Sequence, residues 1–173
     1  MTMHIIVDGY NLIRQSKRWS LIDRQDLETG REALVDALAA YKKVKAHRIT
    51  VVFDGATAPA CTVKRDRRKG IAIHFSSRGE TADDVIKRMV RRDRERALVV
   101  SSDQEILQSA ESHGAAGISA TEFEDKLTQA SWCDQRVSAD DESASWTPTT
   151  KKKGPSRRLS KRSRRNRTKI AKL

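Results

Sequence analysis

The sequence predicts an α/β fold of three layers, in which a central parallel sheet of four to five strands lies between two layers of helices. Two observations lead to this prediction. Short, uniformly apolar runs alternate with longer segments of helical periodicity, and such runs are typical of parallel strands that are covered on both faces. The chain of 173 residues is also long enough for one such domain but too short for two.

Four segments have the pattern of buried strands, and a weaker fifth follows them. Their β-branched and aliphatic side chains favour an extended backbone. The predicted strands are residues 4–7 (HIIV), 48–53 (RITVVF), 71–75 (IAIHF), 97–100 (ALVV) and 115–119 (AAGIS).

Helical patterns separate these strands. Residues 27–46 carry Leu and Tyr side chains on one face, and residues 85–90 form a second apolar stripe. A short helix is expected before Gly114, which is placed to end it. Thr121 and Glu124 have the spacing of a capping box that would open a last helix toward residue 130.

Two connections lack periodicity and are predicted to be loops. The first joins the first strand to residue 27. The second covers residues 56–70, which contain Pro59 and a cluster of Lys and Arg, and it is expected to be exposed and basic.

Charge divides the chain into a domain and a tail. Of the 35 Lys and Arg, 12 lie in residues 151–173, which hold no acid, so the remaining 23 balance the 23 Asp and Glu. We therefore predict a globular domain over residues 1–130, a polar linker over 131–150 and a basic disordered tail over 151–173. The excess of +12 indicates a polyanionic partner, with nucleic acid favoured over a membrane surface.

Several classes of protein are disfavoured by features that the sequence lacks. The two cysteines form no disulfide framework or zinc motif, and no apolar run is long enough to span a membrane. The first residues do not resemble a signal peptide, so a cytoplasmic protein is expected. No phosphate-binding glycine loop, dinucleotide fingerprint or nucleophile elbow is present. The four histidines are scattered singly and are expected to be packing or surface residues.

Carboxylates follow each of the four strong strands. Because the carboxyl ends of parallel strands meet at one edge of a sheet, where such folds bind ligands, these acids are expected to lie together. Their mutual repulsion favours a hard divalent cation among them, and Mg²⁺ or Mn²⁺ prefers such oxygen ligands. The acids are Asp8, Asp54, the group Glu80, Asp83 and Asp84, and Asp103.

Each of these residues also has a structural interpretation. Asp54 and Asp103 could equally cap the helices that follow them. Thr81 and Asp84 match a capping box, which would leave Asp83 to face the site. Glu80 could be a metal ligand or a solvated loop acid.

Asn11 lies three residues after Asp8 and has two interpretations of its own. Its side chain could bond the backbone of its own turn, or it could orient a phosphate or a metal-bound water.

Basic side chains beside the acidic helix predict sequence-independent phosphate contacts. Tyr10 and Trp19 are the aromatic residues near the predicted edge, and either could instead belong to the core. The predicted RNA-binding residues are Lys64, Arg65, Arg67, Arg68, Lys87, Arg88, Arg91, Arg92, Lys151, Lys152, Lys153, Arg157 and Arg158.

Four motifs in order carry a family resemblance. They are VDGYNLI at 7–13, VVFDG at 51–55, GETADD at 79–84 and VVSSD at 99–103. Together they resemble the NYN domain of the PIN-like nuclease superfamily, and most of all its bacterial YacP-like branch. The resemblance covers about residues 3–130 and leaves the basic tail outside.

The resemblance implies a PIN-like α/β/α fold and a metal-dependent endoribonuclease. Asp8, Asp83 and Asp103 match the acidic metal-site positions of the family, Asn11 matches its asparagine, and Asp84 matches a further acidic position. It also implies messenger RNA as the substrate, cleavage on the translating ribosome and a ribosomal RNA anchor in the tail.

Two other functions remain open at this point. A non-catalytic RNA- or ribosome-binding factor could keep the acidic edge for structure. A nuclease that acts on DNA is also compatible, because no residue pattern identifies a reader of the 2′-hydroxyl. The oligomeric state is not predicted.

Overall fold

The computed structural model describes residues 2–57, 64–136 and 161–173. Its strands are β1 (His4–Asp8), β2 (Arg48–Phe53), β3 (Arg65–Arg68), β4 (Ile71–Phe75), β5 (Ala97–Val100) and β6 (Ala116–Ile118). Its helices are α1 (Gly9–Gln15), α2 (Ser20–Gln25), α3 (Leu27–Val44), α4 (Ala82–Asp93), α5 (Gln104–Ser112), α6 (Ala120–Arg136) and α7 (Lys161–Ile170).

The strands form one sheet of six in the order β3-β4-β2-β1-β5-β6. All neighbours are parallel except β3, which runs antiparallel to β4 at the edge. The predicted parallel sheet between helices is therefore confirmed, with one additional edge strand. β1 lies in the middle, between β2 and β5.

Alternate side chains of the central strands enter two separate cores. Ile5 of β1 packs with the group that includes Leu38 of α3 and Phe123 of α6. Ile6 points to the opposite face and packs with Ile86 of α4. Because each face of the sheet is covered by helices, the central strands need apolar residues at every position, which explains their uniform composition.

The parallel strands bring their carboxyl ends to a single edge, called here the carboxyl edge. Asp8 is the last residue of β1, while Asp54, Ser76 and Ser101 directly follow β2, β4 and β5. The opposite side, where these strands begin, is called the amino edge.

The two predicted loops contain regular structure. The first contains α1 and α2, and α1 begins immediately after Asp8, whose side chain caps it. The second contains β3, whose four residues are all exposed and charged. Neither was predicted because α1 is too short to show a clear period, and an edge strand in water lacks the apolar residues that mark a buried strand.

The last helix of the domain begins one residue before the predicted capping box. Ser119 provides the cap, since its hydroxyl accepts a hydrogen bond from the backbone N–H of Glu122 at 3.2 Å. Glu124 instead accepts a hydrogen bond from the hydroxyl of Ser16, which joins α6 to the end of α1.

The prediction of disorder is wrong for residues 161–173, where α7 packs on the domain. Leu173 is only 5% exposed and belongs to the larger core, and its carbonyl accepts a hydrogen bond from the hydroxyl of Tyr41 at 2.9 Å. Arg165 pairs with Glu95 at 2.9 Å. These contacts place α7 at the amino edge, away from the carboxyl edge.

The remaining part of the predicted tail lies outside the described residues, together with residues 137–150. The predicted RNA contacts in that segment are Lys151, Lys152, Lys153, Arg157 and Arg158. Within the three described ranges, no helix combines the length and hydropathy that crossing a membrane requires.

Leu173→Ala tests whether α7 is part of the folded domain. The substitution should lower the free energy of unfolding by about 2 kcal/mol, because it removes buried apolar atoms from a filled core. Urea denaturation measures the change. Leu21→Ala is the matched control, since Leu21 is 63% exposed and its truncation should cost less than about 0.5 kcal/mol. Equal stability of the two variants would contradict the docking of α7.

Candidate active site

Asp8 is a buried carboxylate at the carboxyl edge of the central strand. The residue is only 8% exposed. One of its carboxylate oxygens, Oδ1, accepts a hydrogen bond from the backbone N–H of Asn11 at 3.2 Å. The other, Oδ2, accepts one from the hydroxyl of Ser101 at 3.2 Å. The carboxylate is thus held between the first turn of α1 and the end of β5.

A chain of hydrogen bonds joins the ends of β1 and β5. The side-chain oxygen of Asn11 accepts a hydrogen bond from the backbone N–H of Ser102 at 2.8 Å. The hydroxyl oxygen of Ser101 accepts one from the N–H of Asp103 at 3.1 Å. Asp103 in turn caps α5, since its carboxylate accepts a bond from the N–H of Glu105 at 2.7 Å. Asn11 therefore positions a neighbouring loop, beyond its own turn.

Three carboxylates influence one another at this edge. The pKa of Asp8 is raised from 3.8 to about 6, chiefly by burial and further by the negative charges of Asp83 and Asp103. Burial also raises the pKa of Asp83, and the charge of Asp103 adds to the effect. The three predicted metal-site acids therefore lie close enough to repel one another.

Asp84 serves the helix on which it lies. Its side chain accepts hydrogen bonds from the hydroxyl of Thr81 at 2.9 Å and from the backbone N–H of Thr81 at 3.2 Å. The hydroxyl of Thr81 accepts a bond from the N–H of Asp84 in return, which completes the predicted capping box. The hydrogen bonds from Thr81 lower the pKa of Asp84.

Asp54 and Glu80, the two further predicted ligands, have local partners. The carboxylate of Asp54 accepts hydrogen bonds from the N–H of Ala56 at 3.0 Å and from the hydroxyl of Ser76 at 3.3 Å. Glu80 is paired with the guanidinium of Arg88. Both carboxylates thus take part in loop structure.

Lys87 and Glu105 form an ion pair at the margin of the acidic group. Lys87 was predicted to contact RNA from the outer face of α4, but its side chain is only 19% exposed. The hydrogen bond to Glu105 raises its pKa, and Asp83 contributes to the shift. Glu105 was not predicted, although its position two residues after Asp103 at the start of a helix was a usable signal.

The donor atoms of this edge suit a hard divalent cation that keeps part of its water shell. Asp8, Asp83 and Asp103 offer carboxylate oxygens, and Mg²⁺ typically uses one or two of these together with water and substrate phosphate. Among the residues that the structure describes, no three Asp, Glu, His or Cys side chains are close enough to form a complete metal cage. The donor set at this edge is thus one of carboxylate oxygens, the chemistry that Mg²⁺ or Mn²⁺ prefers.

The fold is a three-layer α/β domain with carboxylates at the carboxyl edge of its sheet, as in the PIN-like class. The family model described as the YacP-like NYN domain matches residues 5–172, and the chain belongs to that family. The match includes residues 161–172, so the resemblance noted over residues 3–130 extends to the C-terminal helix.

One similar protein is from Bacillus subtilis. The chain is 26% identical over 87 residues to a protein named "Uncharacterized protein YacP", and the match covers 50% of this chain and 51% of that protein. The chain thus spans about half the length of this curated relative.

Two crystal structures of Rae1 (YacP) from Bacillus subtilis have the same fold. One, of a point mutant, matches with a TM-score of 0.67 and 22% identity over 82% of this chain and 86% of the mutant chain. A second structure of Rae1 gives a TM-score of 0.66 and 24% identity over 80% of each chain.

Asp8→Asn should make the metal-free protein more stable at neutral pH. Because the folded state raises the pKa of Asp8 from 3.8 to about 6, it holds the proton more tightly than the unfolded state does. The wild type therefore loses stability as pH rises through this window, by about 1–3 kcal/mol. The variant lacks this loss, so the difference should vanish near pH 4. Urea denaturation in chelator at several pH values measures it.

Asp26→Asn provides a control with the opposite sign. Asp26 caps α3, and its hydrogen bonds to Thr29 lower its pKa. This stabilisation is present at neutral pH and is lost as pH falls, so Asp26→Asn should be slightly less stable than the wild type at neutral pH. A variant of Asp8 that is no more stable than the wild type above pH 6 would show that the buried charge carries no penalty.

Proposed function

We propose that the chain is a metal-dependent endoribonuclease that hydrolyses RNA phosphodiester bonds. The observation that carries the proposal is the buried Asp8, whose pKa is raised to about 6 beside Asp83 and Asp103 on the carboxyl edge of an NYN domain. Burying a carboxylate among others costs stability, and such costs are concentrated at functional sites. Helix capping alone would not require this arrangement.

The acidic residues have two different roles in the proposed reaction. Asp8, Asp83 and Asp103 would hold Mg²⁺ or Mn²⁺, which supplies an activated water and neutralises charge on the phosphate. Asn11 and Ser101 orient this group through their hydrogen bonds at the ends of β1 and β5. Asp84 assists by fixing the first turn of α4, which carries Asp83.

Lys87 provides a positive charge beside Asp83 and Glu105. In the proposed enzyme its ammonium group contacts the phosphate of the bound RNA near the reacting bond. The proposed substrate is messenger RNA on the ribosome in the cytoplasm. This rests on similarity to the YacP-like branch and on the basic residues of α7 and of residues 151–158.

The second candidate is a non-catalytic RNA- or ribosome-binding factor. One observation favours it: Asp84 and Asp103 form helix-capping hydrogen bonds, so part of the acidic edge has a structural role. An enzyme requires the acidic edge to bind a divalent ion, whereas a binding factor requires only its positive surfaces. Cleavage and binding must therefore be measured separately.

Asp8→Asn separates the two functions. The variant should lose Mn²⁺-dependent cleavage of single-stranded RNA by at least about 100-fold, while it folds and binds RNA as the wild type does. Cleavage is followed on gels with and without chelator, and with and without ribosomes. A variant that cuts at the wild-type rate would refute the enzymatic role of Asp8. A wild type that never cuts under these conditions would favour the binding factor.

Asp83→Ala and Asp84→Ala compare neighbouring acids with different roles. Asp83→Ala should abolish cleavage, because it removes a metal-site carboxylate. Asp84→Ala should lower the midpoint of thermal unfolding, because it removes the capping box, and it should retain most of the activity. Cleavage rates and thermal midpoints of both variants are the readouts. The reverse pattern would assign the catalytic role to Asp84.

A further inference from the structure

The antiparallel pair β3–β4 has two faces of different character. Directly opposed residues of such a pair point to the same side. Asp66 and Arg68 lie opposite Ile73 and Ile71, and these isoleucines pack in the core beneath α3. Arg65 and Arg67 lie opposite His74 and Ala72 and therefore face the other side of the sheet.

Acids of α3 neutralise the first face. Arg68 pairs with Glu32 at 3.2 Å and with Asp66 at 3.0 Å. Lys69, which follows the strand, pairs with Asp36. These cations already have carboxylate partners within the domain.

On the second face, the arginines of β3 are not paired with acids of the described residues. Among the described residues, no carboxylate lies within ion-pair distance of Arg65 or Arg67. Both residues are exposed. The pKa of His74 is lowered by burial first and then by nearby positive charges, including those of Arg65 and Arg92. Cations from β3 and from α4 thus surround the same position on β4.

Helix α4 lies beside the second face of β3 and β4. It packs mainly on β1, β2 and β5, so β3 and β4 extend beyond it. Lys87 lies on the side of α4 that faces α5, as its pair with Glu105 shows. Arg92 lies on the side toward β4, and Arg88 precedes it by one helical turn. Both arginines have an acid partner, since Arg88 pairs with Glu80 and Arg92 pairs with Asp93, which also contacts His4. Among the described ion pairs of this surface, Arg65 and Arg67 are thus the cations without a carboxylate partner.

This basic surface, formed by Arg65, Arg67, His74, Arg88 and Arg92, leads to the carboxyl edge. Because β3 runs antiparallel to β4, Arg65 lies near the carboxyl end of β4. α4 begins at the same edge with Asp83 in its first turn and Arg88 in its second.

Its chemistry fits a phosphate backbone. Tyr10 and Trp19 are only 6% and 3% exposed, so neither offers a face on which bases could stack. Guanidinium groups on an open sheet face contact phosphates without reading sequence.

We propose that the basic surface binds the sugar-phosphate backbone of a single RNA strand and directs it toward Asp8 and Asp83. The inference deepens the proposed function and rests on it for the identity of the ligand. In this proposal, Arg65 and Arg67 of the basic segment 64–69 bind RNA. Arg68 and Lys69 of the same segment have a structural role on the opposite face.

The test compares two double variants with the same change in charge. Arg65→Gln with Arg67→Gln removes two cations from the basic surface, and Arg68→Gln with Lys69→Gln removes two from the opposite face. Both pairs are made in the Asp8→Asn background in chelator, so that cleavage cannot interfere. Fluorescence anisotropy with a labelled single-stranded RNA is measured over a range of salt concentrations.

The first pair should weaken binding by about tenfold and reduce the slope of log affinity against log salt by about 1.4, since each single-strand phosphate contact contributes about 0.7. The second pair should bind within about twofold of the parent. Equal losses in both pairs would show that net charge alone governs binding, and no loss in the first would exclude this surface; either result overturns the proposal. Because binding is measured without cleavage, failure of the nuclease assay leaves this test unaffected.

Discussion

The burial of one carboxylate at the end of the central strand is the constraint on which the rest of the site depends. Asp8 is held by the N–H of Asn11 and the hydroxyl of Ser101, which ties β1 to α1 and β5. Gly9 is required beside it, because an added Cβ would lie 2.3 Å from the ring of Phe53. The close packing of the start of α1 against the end of β2 therefore helps to position the carboxylate. The hydrogen bond from Ser101 to the carboxylate joins it to the loop that carries Asp103.

Acidic and basic residues are concentrated in different regions of the molecule. Acids gather at the carboxyl edge, where their pKa values are raised. α7 lies at the opposite edge, anchored by Leu173 and Tyr41. In the proposed binding mode, an RNA strand that crosses β3–β4 toward Asp8 lies on a different surface from α7.

Sequence reasoning succeeded for elements that are buried on both faces and failed for elements that are mostly exposed. The five predicted strands were recognisable because both of their faces are covered, and the acids followed from the geometry of parallel strands. β3 was missed because all four of its residues are exposed. α7 was missed because Ile170 and Leu173 are the apolar anchors in a strongly basic segment. The roles of Ser101 and Lys87 depend on contacts between distant elements, which local patterns do not encode.

Binding of Mn²⁺ as a function of pH tests most directly whether the acidic edge is a metal site. Asp8 must release its proton to accept the ion, and its pKa is about 6. Titration calorimetry should therefore show affinity that rises up to this pH and levels off above it, with proton release on binding at lower pH. Asp8→Asn should bind far more weakly above pH 6, and the difference should shrink at lower pH, where Asp8 of the wild type is itself protonated. Affinity that does not change with pH, or equal binding by Asp8→Asn, would contradict the account.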